Sequence, residues 1–291
     1  MVKIKQSARL KPGVPDMVLA VVMTFIGIAT LYPMLNLLFI SLSSTAEVAK
    51  RGSFMFYPMG FNFDSYTYAL NYSGLDTAFV NTIFITIVGT LINLILTSAG
   101  AYVLSEKELP GRNFLMWIVL VTMFFGGGLI PSYMVNRRLG LVDSLWALML
   151  PGAISTFNLI LQSNFFQSIP LSLKEAARID GASELRILIR IMLPLSMPII
   201  ATLALFYGVG HWNEFSGAII YINSTQKYPL QVVIRSMYNV AISESAGESL
   251  APPVQGVRCA TVILATVPIV MVYPFLQRFF VKGVMVGSLK G

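Results

Sequence analysis

Long runs without a charged residue divide this sequence into six apolar segments. Each is about 19 to 30 residues long, and a helix needs about 20 apolar residues to cross the hydrocarbon core of a bilayer. Backbone polar groups in lipid must find partners within their own segment, so each run predicts a membrane-spanning helix. The pattern therefore predicts an all-α membrane protein with six transmembrane helices. The predicted spans cover about 17–40, 77–103, 113–134, 144–166, 192–213 and 259–277.

Composition narrows the class of protein further. Hydrophobic residues make up 56% of the chain and charged residues 11%, whereas soluble domains carry about 25% charged residues. A soluble enzyme would lack the polar residues that must cover its surface, so that class is excluded. The single cysteine, Cys259, and the single histidine, His211, exclude an intramolecular disulfide and a multi-histidine metal site. We expect no metal site and no catalytic residue on this chain.

The distribution of basic residues predicts the orientation in the membrane. If the spans alternate from a cytoplasmic N-terminus, 13 of the 20 Lys and Arg residues lie on the cytoplasmic side. An excess of Lys and Arg marks that side, so both termini are expected in the cytoplasm. Residues 1–16 then form a cytoplasmic N-terminal segment, and 17–291 form one transmembrane domain. The net charge of +7 reflects this topology, and no nucleic-acid partner is expected because no binding motif accompanies the basic residues.

The third predicted span contains a break. Gly126, Gly127 and Gly128 are followed by Pro131, and each glycine costs about 1 kcal/mol relative to alanine within a helix. The break either lies beside a translocation path, where irregular backbone is tolerated, or marks a helix end near the outer surface. The aromatic residues of the loop 41–76 likewise fit either an interfacial belt or a contact with an extracytoplasmic partner.

The segment between the fourth and fifth spans, about 168–194, is the most highly charged of the predicted cytoplasmic connections. Ser172, followed three residues later by Glu175, matches a capping box, which starts a helix. Gly181 is a natural stop, because glycine adopts the left-handed conformation that ends many helices. We therefore expect a helix of about two turns outside the bilayer, followed by a second helical segment over about 184–193.

Two functions fit this short helix. It is either an ordinary amphipathic connection or a docking surface for a cytoplasmic partner. Ala176 and Ala177 are small enough to let another protein approach closely, and charged residues flank them. Residue types alone leave both functions open.

The same segment resembles the EAA loop of permeases from binding-protein-dependent ABC importers. The matching residues are Glu175-Ala176-Ala177, Asp180-Gly181-Ala182 and Ile191-Met192-Leu193-Pro194. Parts of 125–151 and the sequence Trp212-Asn213-Glu214-Phe215 are similar to the carbohydrate branch of that family, namely the maltose-type second permease and, more closely, permeases for oligosaccharides and polysaccharides. The resemblance covers most of the chain and implies the ABC type I importer permease fold.

This resemblance implies a mechanism and a set of partners. The loop helix would sit in a groove on a cytoplasmic ATPase, and closure of two ATPase subunits would switch a cavity between inward-facing and outward-facing states. A second permease subunit in a heterodimer, two ATPase subunits and an extracytoplasmic solute-binding protein would complete the transporter in a bacterial inner membrane. ATP and Mg would bind to the ATPase. The implied coupling residues are Glu175, Ala176, Ala177, Asp180, Gly181 and Pro194.

The sequence contains no G-x-x-x-x-G-K-[ST] phosphate loop, so an ATP-driven function must use a separate ATPase and no cofactor is expected on this chain. The alternative is an ion-coupled secondary carrier of a small polar solute, although the paired intramembrane charges typical of such carriers are missing from the predicted spans. A third hypothesis is a membrane scaffold without a transport role.

Candidates for a substrate path are polar and aromatic residues on the fourth and fifth spans. Aromatic faces and amide groups suit sugars, but the same residues also serve helix packing in membranes. Both interpretations stay open. The candidates are Asn158, Gln162, Asn164, Trp212 and Asn213.

Overall fold

The computed structural model describes residues 14–52, 54–244 and 254–288, and this part of the chain contains helices and connections but no strand. Most of the predicted N-terminal segment 1–16 lies outside the described residues. Within these described residues, fourteen α-helices follow one another, with short 3₁₀ and π segments between some of them. They are α1 Val14–Ser41, α2 Thr45–Arg51, α3 Asp64–Leu70, α4 Leu75–Ser105, α5 Arg112–Phe124, α6 Leu129–Arg138, α7 Thr156–Ser168, α8 Leu171–Ile179, α9 Glu184–Ile187, α10 Leu193–Leu195, α11 Met197–Trp212, α12 Ser216–Tyr221, α13 Leu230–Glu244 and α14 Val254–Ser288.

Three of the described helices are long and apolar enough to cross a membrane: Asp16–Ser41, Leu75–Ser105 and Gln255–Val272. Two further candidates are pairs of helices with a sharp bend between them. The helices α5 and α6 meet at 112°, and the segment Glu184–Leu195 meets α11 at 85°. The described residues therefore hold three to five candidate spans by length and composition.

The break predicted at the three glycines is confirmed. The helix α5 ends at Phe124, α6 starts at Leu129, and Gly128 adopts a φ of 80°, which favours glycine. Residues 125–128 are not helical. The predicted third span is thus two helices rather than one.

The prediction of one helix over 144–166 is wrong. Only a 3₁₀ turn, Leu145–Leu148, and the 13-residue α7 are helical there, and 13 residues span about 20 Å. Pro151 and Gly152 disfavour a continuous helix between them. The side-chain amide of Asn93 on α4 donates to the carbonyl oxygens of Gly152 and Ala153, at 3.2 and 2.7 Å, so this irregular backbone finds partners.

The chain divides into two units. One consists of the part before Leu70 together with 241–263, and its core contains Ile40, Val48, Met55 and the free thiol of Cys259. The other consists of 70–240 together with 264–291. It contains the candidate site described below.

The helix α4 is the centre of the second unit, where it packs against α7 and α11. Its buried face is rich in small and polar residues such as Gly89, Asn93 and Ala101, which let helix backbones approach closely. Polar bonds join the helices as well: the hydroxyls of Thr97 and Tyr207 lie 2.7 Å apart. The C-terminal end of α4 points to the short helix α8.

Candidate functional site

The helix α8 starts two residues earlier than the capping box predicted. Pro170 occupies the N-cap position, no side chain caps the helix, and Ser172 lies inside the first turn. The proline cannot donate a backbone N–H and its φ of −55° suits a helix start. The capping box of Ser172 and Glu175 is therefore wrong, although the helix it was meant to start is present.

The predicted stop at Gly181 is confirmed. Gly181 has a φ of 76°, its N–H donates to the carbonyl of Arg178 at 3.0 Å, and the next N–H, of Ala182, donates to Ala177 at 2.9 Å. This pair of bonds is the Schellman arrangement, which needs a left-handed residue at the glycine position. It fixes the direction in which the chain leaves α8.

One face of α8 is bound to the end of α4 by charge. The Lys174 ammonium donates to Glu106 Oε1 at 3.1 Å, and the Arg178 guanidinium donates to the other oxygen of the same carboxylate. Lys174 and Arg178 are four residues apart, so both point to the same side of the helix. Glu106 directly follows α4 and therefore ties the end of that helix to α8.

The network continues to α9 and closes into a ring. Arg178 Nε also donates to Glu184 Oε1 at 2.8 Å, and the Tyr102 hydroxyl donates to the other oxygen of Glu184. The Lys174 ammonium lies 5.1 Å from the centre of the Tyr102 ring, within the range of a cation–π contact. Five side chains from three helices thus form a closed cycle, which we call the α4–α8 ring.

The burial of Lys174 makes the ring important for the stability of the folded protein. The Lys174 side chain is only 4% exposed, and its ammonium needs a partner because an isolated buried charge is costly. The other charged members of the ring are more exposed, with 26% for Glu106, 39% for Arg178 and 56% for Glu184, so solvent screens their ion pairs more strongly. Burial raises the pKa of Glu106, but hydrogen bonds from Arg178 and Lys174 outweigh it and hold that pKa below its ordinary value of 4.5. Glu106 is therefore ionised at neutral pH.

The opposite face of α8 is open. Glu175, Ala176 and Asp180 are exposed, while Ala177 is half-buried against the core that includes Tyr102 and Phe166. Ile179 is 86% exposed and Leu185 65%. Burying these side chains against a partner protein would be favourable, because it removes apolar surface from water.

A cleft of about 640 Å³ lies beside this helix. Its walls are the turn 105–109, the segment 166–171 and the first turns of α8. Charges of both signs line it, including Glu106, Lys174 and Glu175. Two of these three already bind each other in the ring, so the cleft is a groove beside α8 rather than an unoccupied charged site.

The structure brings together five of the six predicted coupling residues. Those from Glu175 to Gly181 lie on α8 or its C-terminal cap, whereas Pro194 is exposed in α10, before the bend that precedes α11. Sequence analysis missed the residues that hold α8 in place. Their only signal was the four-residue spacing of Lys174 and Arg178; the missed residues are Tyr102, Glu106, Lys174, Arg178 and Glu184.

The substrate-path candidates do not form one cluster of exposed polar groups. Asn158 and Gln162 are buried on α7, and Gln162 Nε2 donates to Ser98 at 2.8 Å. The Trp212 indole is buried and donates to the carbonyl of Ala265 at 3.0 Å. Two candidates are exposed: Asn164, and Asn213, which accepts from Gln231 at 3.3 Å.

A second polar cluster lies between α6 and α13. Asp143 accepts from the N–H of Asn223 at 3.0 Å, from the N–H and hydroxyl of Ser224 at 2.8 and 2.7 Å, and from Lys227 at 3.1 Å. Hydrogen bonds, first of all from the Ser224 side chain, hold the pKa of Asp143 far below its ordinary value. We call this cluster the Asp143 clasp; it joins the loop after α6 to the loop after α12.

The long apolar helices are typical of a helical multi-pass membrane protein. The short helix α8 lies exposed among them and is held in place by ion pairs. Comparison with known families identifies the class more closely. The chain belongs to the family described as binding-protein-dependent transport system inner membrane component, whose profile matches residues 113–286. Its α8 coincides with the loop that resembles the EAA motif.

Two similar proteins come from Bacillus subtilis, and one of them is named as a transport system permease. Protein LplC from Bacillus subtilis strain 168 is 45% identical over 270 residues, which cover 91% of each chain. The polygalacturonan/rhamnogalacturonan transport system permease protein YtcP of the same organism is 40% identical over 281 residues, covering 95% of this chain and 98% of that protein.

A solved structure has the same fold. One chain of the crystal structure of a bacterial ABC transporter involved in the import of the acidic polysaccharide alginate superposes with a TM-score of 0.83 at 31% identity. The match covers 92% of this chain and 96% of that chain. The chain therefore has the permease fold of type I importers.

Proposed function

We propose that the chain is the permease subunit of an ATP-driven importer for oligosaccharides or polysaccharide fragments. ATP hydrolysis takes place on a separate ATPase, and this chain converts it into alternating access. Membership of the permease family and the sugar polymers named for two similar proteins support this function. The observation that carries it is the helix α8, which is fastened on one face and open on the other.

The open face of α8 fits a groove on the ATPase. Four of its residues are exposed to solvent: Glu175, Ala176, Asp180 and Gly181. Ile179 adds an apolar side chain that no other part of the protein covers. Small residues let a partner approach the helix backbone, and an exposed apolar side chain gains free energy when it is covered. Ala177 and Pro194 contribute by packing α8 and by setting the bend before α11.

In the membrane, the proposal keeps six crossings with both termini in the cytoplasm. Three long helices and two bent pairs supply five candidates. The sixth is 144–168, whose irregular first half contacts α4 and accepts hydrogen bonds from Asn93. Irregular backbone is tolerated at membrane depth when protein covers it. Residues 17–291 then form one permease domain with the coupling loop at about 168–194.

The complete transporter needs further subunits. We propose a heterodimer with a second permease, two ATPase subunits that bind ATP and Mg, and an extracytoplasmic binding protein that delivers the sugar. The complex lies in the inner membrane of a bacterium, in contact with lipid. The exposed apolar side chains of α1, including Phe25 and Ile28, fit lipid or the second permease.

The experiment is ATP-dependent import by the reconstituted complex. Liposomes that contain this chain with its permease, ATPase and binding-protein partners are given labelled oligogalacturonate or maltooligosaccharides. Import of either class with ATP inside, and none without ATP, is the expected result. Import driven by an ion gradient in this chain alone would contradict the proposal and favour a secondary carrier.

A further inference from the structure

The α4–α8 ring does more than stabilise a loop. We infer that Glu106 is a positioning residue, gripped by Lys174 and Arg178, through which α8 and α4 move as one rigid body. This inference rests on the proposed function, because it concerns how a movement imposed on α8 reaches the membrane.

To pass a displacement of α8 on to α4, the contact between the two helices must be rigid. A surface ion pair between two flexible side chains would give way, since its geometry is loosely held. Here the Lys174 side chain is buried, and Glu106 accepts from two cations. Arg178 is 39% exposed, but it binds two carboxylates at once, which restricts its side chain more than a single pair would. The planar guanidinium fork fixes direction as well as distance.

The other end of the connection is equally firm. Glu106 is the C-cap residue of α4, and Arg112 Nε donates at 2.8 Å to the carbonyl of Leu104 in the last turn. From there α4 runs for 31 residues in contact with both α7 and α11. A displacement of α8 by a few ångströms would therefore be passed to the centre of the helix bundle. Without the ring, α8 would be attached mainly by its own chain ends and by Ala177.

The test measures a distance along the proposed rigid body. Spin labels are placed at Ser172→Cys on α8 and Val80→Cys near the start of α4, in a Cys259→Ser background. Both positions are exposed, and the labels lie roughly 40 Å apart at 1.5 Å per residue. Distance distributions are recorded for the assembled transporter, without nucleotide and with ATP and vanadate. Glu106→Gln is compared with Glu108→Gln, an exposed carboxylate two residues further along the same turn.

The expected result is one narrow distribution that does not change with ATP and vanadate, both in the parent protein and in Glu108→Gln. Glu106→Gln should broaden or shift it, while the ATPase still co-purifies. The amount of ATP hydrolysed per oligogalacturonate imported should then rise at least about fivefold, the lower end of typical coupling effects. A Glu106→Gln distribution identical to that of the parent, or a parent distance that changes with nucleotide, would overturn the inference.

Failure of the inference can be told apart from failure of the proposed function. If no ATPase assembles with the parent chain, the function is wrong. The permease without its partners still tests the α4–α8 ring, because the distribution of spin-label distances should be broader in Glu106→Gln than in Glu108→Gln. Arg178→Lys provides a second variant if Glu106→Gln does not fold: it keeps the charge but loses the fork that binds Glu106 and Glu184, so broadening is expected again. An unchanged distribution in Arg178→Lys would count against the ring.

Discussion

Gly89 of α4 lies directly against the imidazole of His211 on α11. A Cβ atom at Gly89 would stand 2.6 Å from His211 Nε2, closer than real Cβ contacts allow. The ring cannot easily move away, because its Nε2 is 2.7 Å from Asn93 Oδ1. That asparagine in turn holds the carbonyls of Gly152 and Ala153. The absence of a side chain at Gly89 thus allows the close packing of α4 and α11, and Asn93 links both to the irregular segment before α7.

Gly89→Ala should destabilise the protein by about 1–3 kcal/mol, the usual cost of overpacking a core. Gly210→Ala on α11 is the matched control, since nothing lies within 4 Å of its added Cβ. Alanine there should be neutral or stabilising, by up to about 1 kcal/mol from helix propensity. Thermal unfolding of both purified variants in detergent measures the difference. Equal melting temperatures would show that the Gly89–His211 contact is not tight.

Gly181→Val should weaken import strongly, because a β-branched residue is disfavoured at a φ of 76°. The Schellman cap would be lost, and the chain would leave α8 in another direction. Gly181→Asn is the control, since asparagine tolerates the left-handed conformation at a lower cost. ATP-dependent import is measured for equal amounts of protein in the membrane. Equal import by the two variants would contradict a role for the cap geometry.

Acid should weaken the α4–α8 ring. The pKa of Glu106 is lowered in the folded protein relative to its ordinary value of 4.5, so its ion pairs contribute stability above pH 4.5. That contribution is lost as the pH falls through the folded pKa. The melting temperature of the parent protein should therefore exceed that of Glu106→Gln at pH 7, and the gap should narrow below pH 4.5. A gap that stays constant down to pH 3 would contradict the assigned ion pairs.

Asp143→Ala should loosen the Asp143 clasp and increase hydrogen exchange in the loop after α6 and the loop after α12. Asp143 has a φ of 60°, so alanine loses both the hydrogen-bond acceptors and a residue that tolerates this conformation. Asp143→Asn separates the two effects: it keeps one acceptor and the backbone preference but removes the charge that binds Lys227. Exchange should rise less in Asp143→Asn than in Asp143→Ala. Equal exchange in the two variants would show that charge alone holds the clasp.

Sequence patterns located the long helices well, because apolar runs are a property of the chain itself. The windows at 17–40 and 77–103 correspond to α1 and α4, and three glycines marked the break between α5 and α6. The window at 144–166 failed for a physical reason. The window contains no charged residue, but Pro151 and Gly152 interrupt its helix. Its backbone there is held by Asn93 from another helix, which no local pattern shows.

The candidate site was predicted only in part. The end of the short exposed helix was predicted correctly from Gly181, whereas the capping box at Ser172 placed its start two residues too late. The loop motif suggested which face a partner would use. The ring could not be inferred, since Lys174 and Glu106 are 68 residues apart. Both are ordinary surface residue types, and their pairing follows only from the way α8 folds back onto the end of α4.

Site-directed cross-linking from Ala176 tests the central claim most directly. Ala176→Cys in a Cys259→Ser background places the only thiol of the chain on the exposed face of α8. A short bifunctional reagent in native membranes should join it to an ATP-binding subunit, while a thiol placed at Val80 on the far part of α4 should not reach that subunit. A labelled but uncaptured Ala176→Cys, in membranes where the ATPase is present, would contradict docking of α8 on the ATPase.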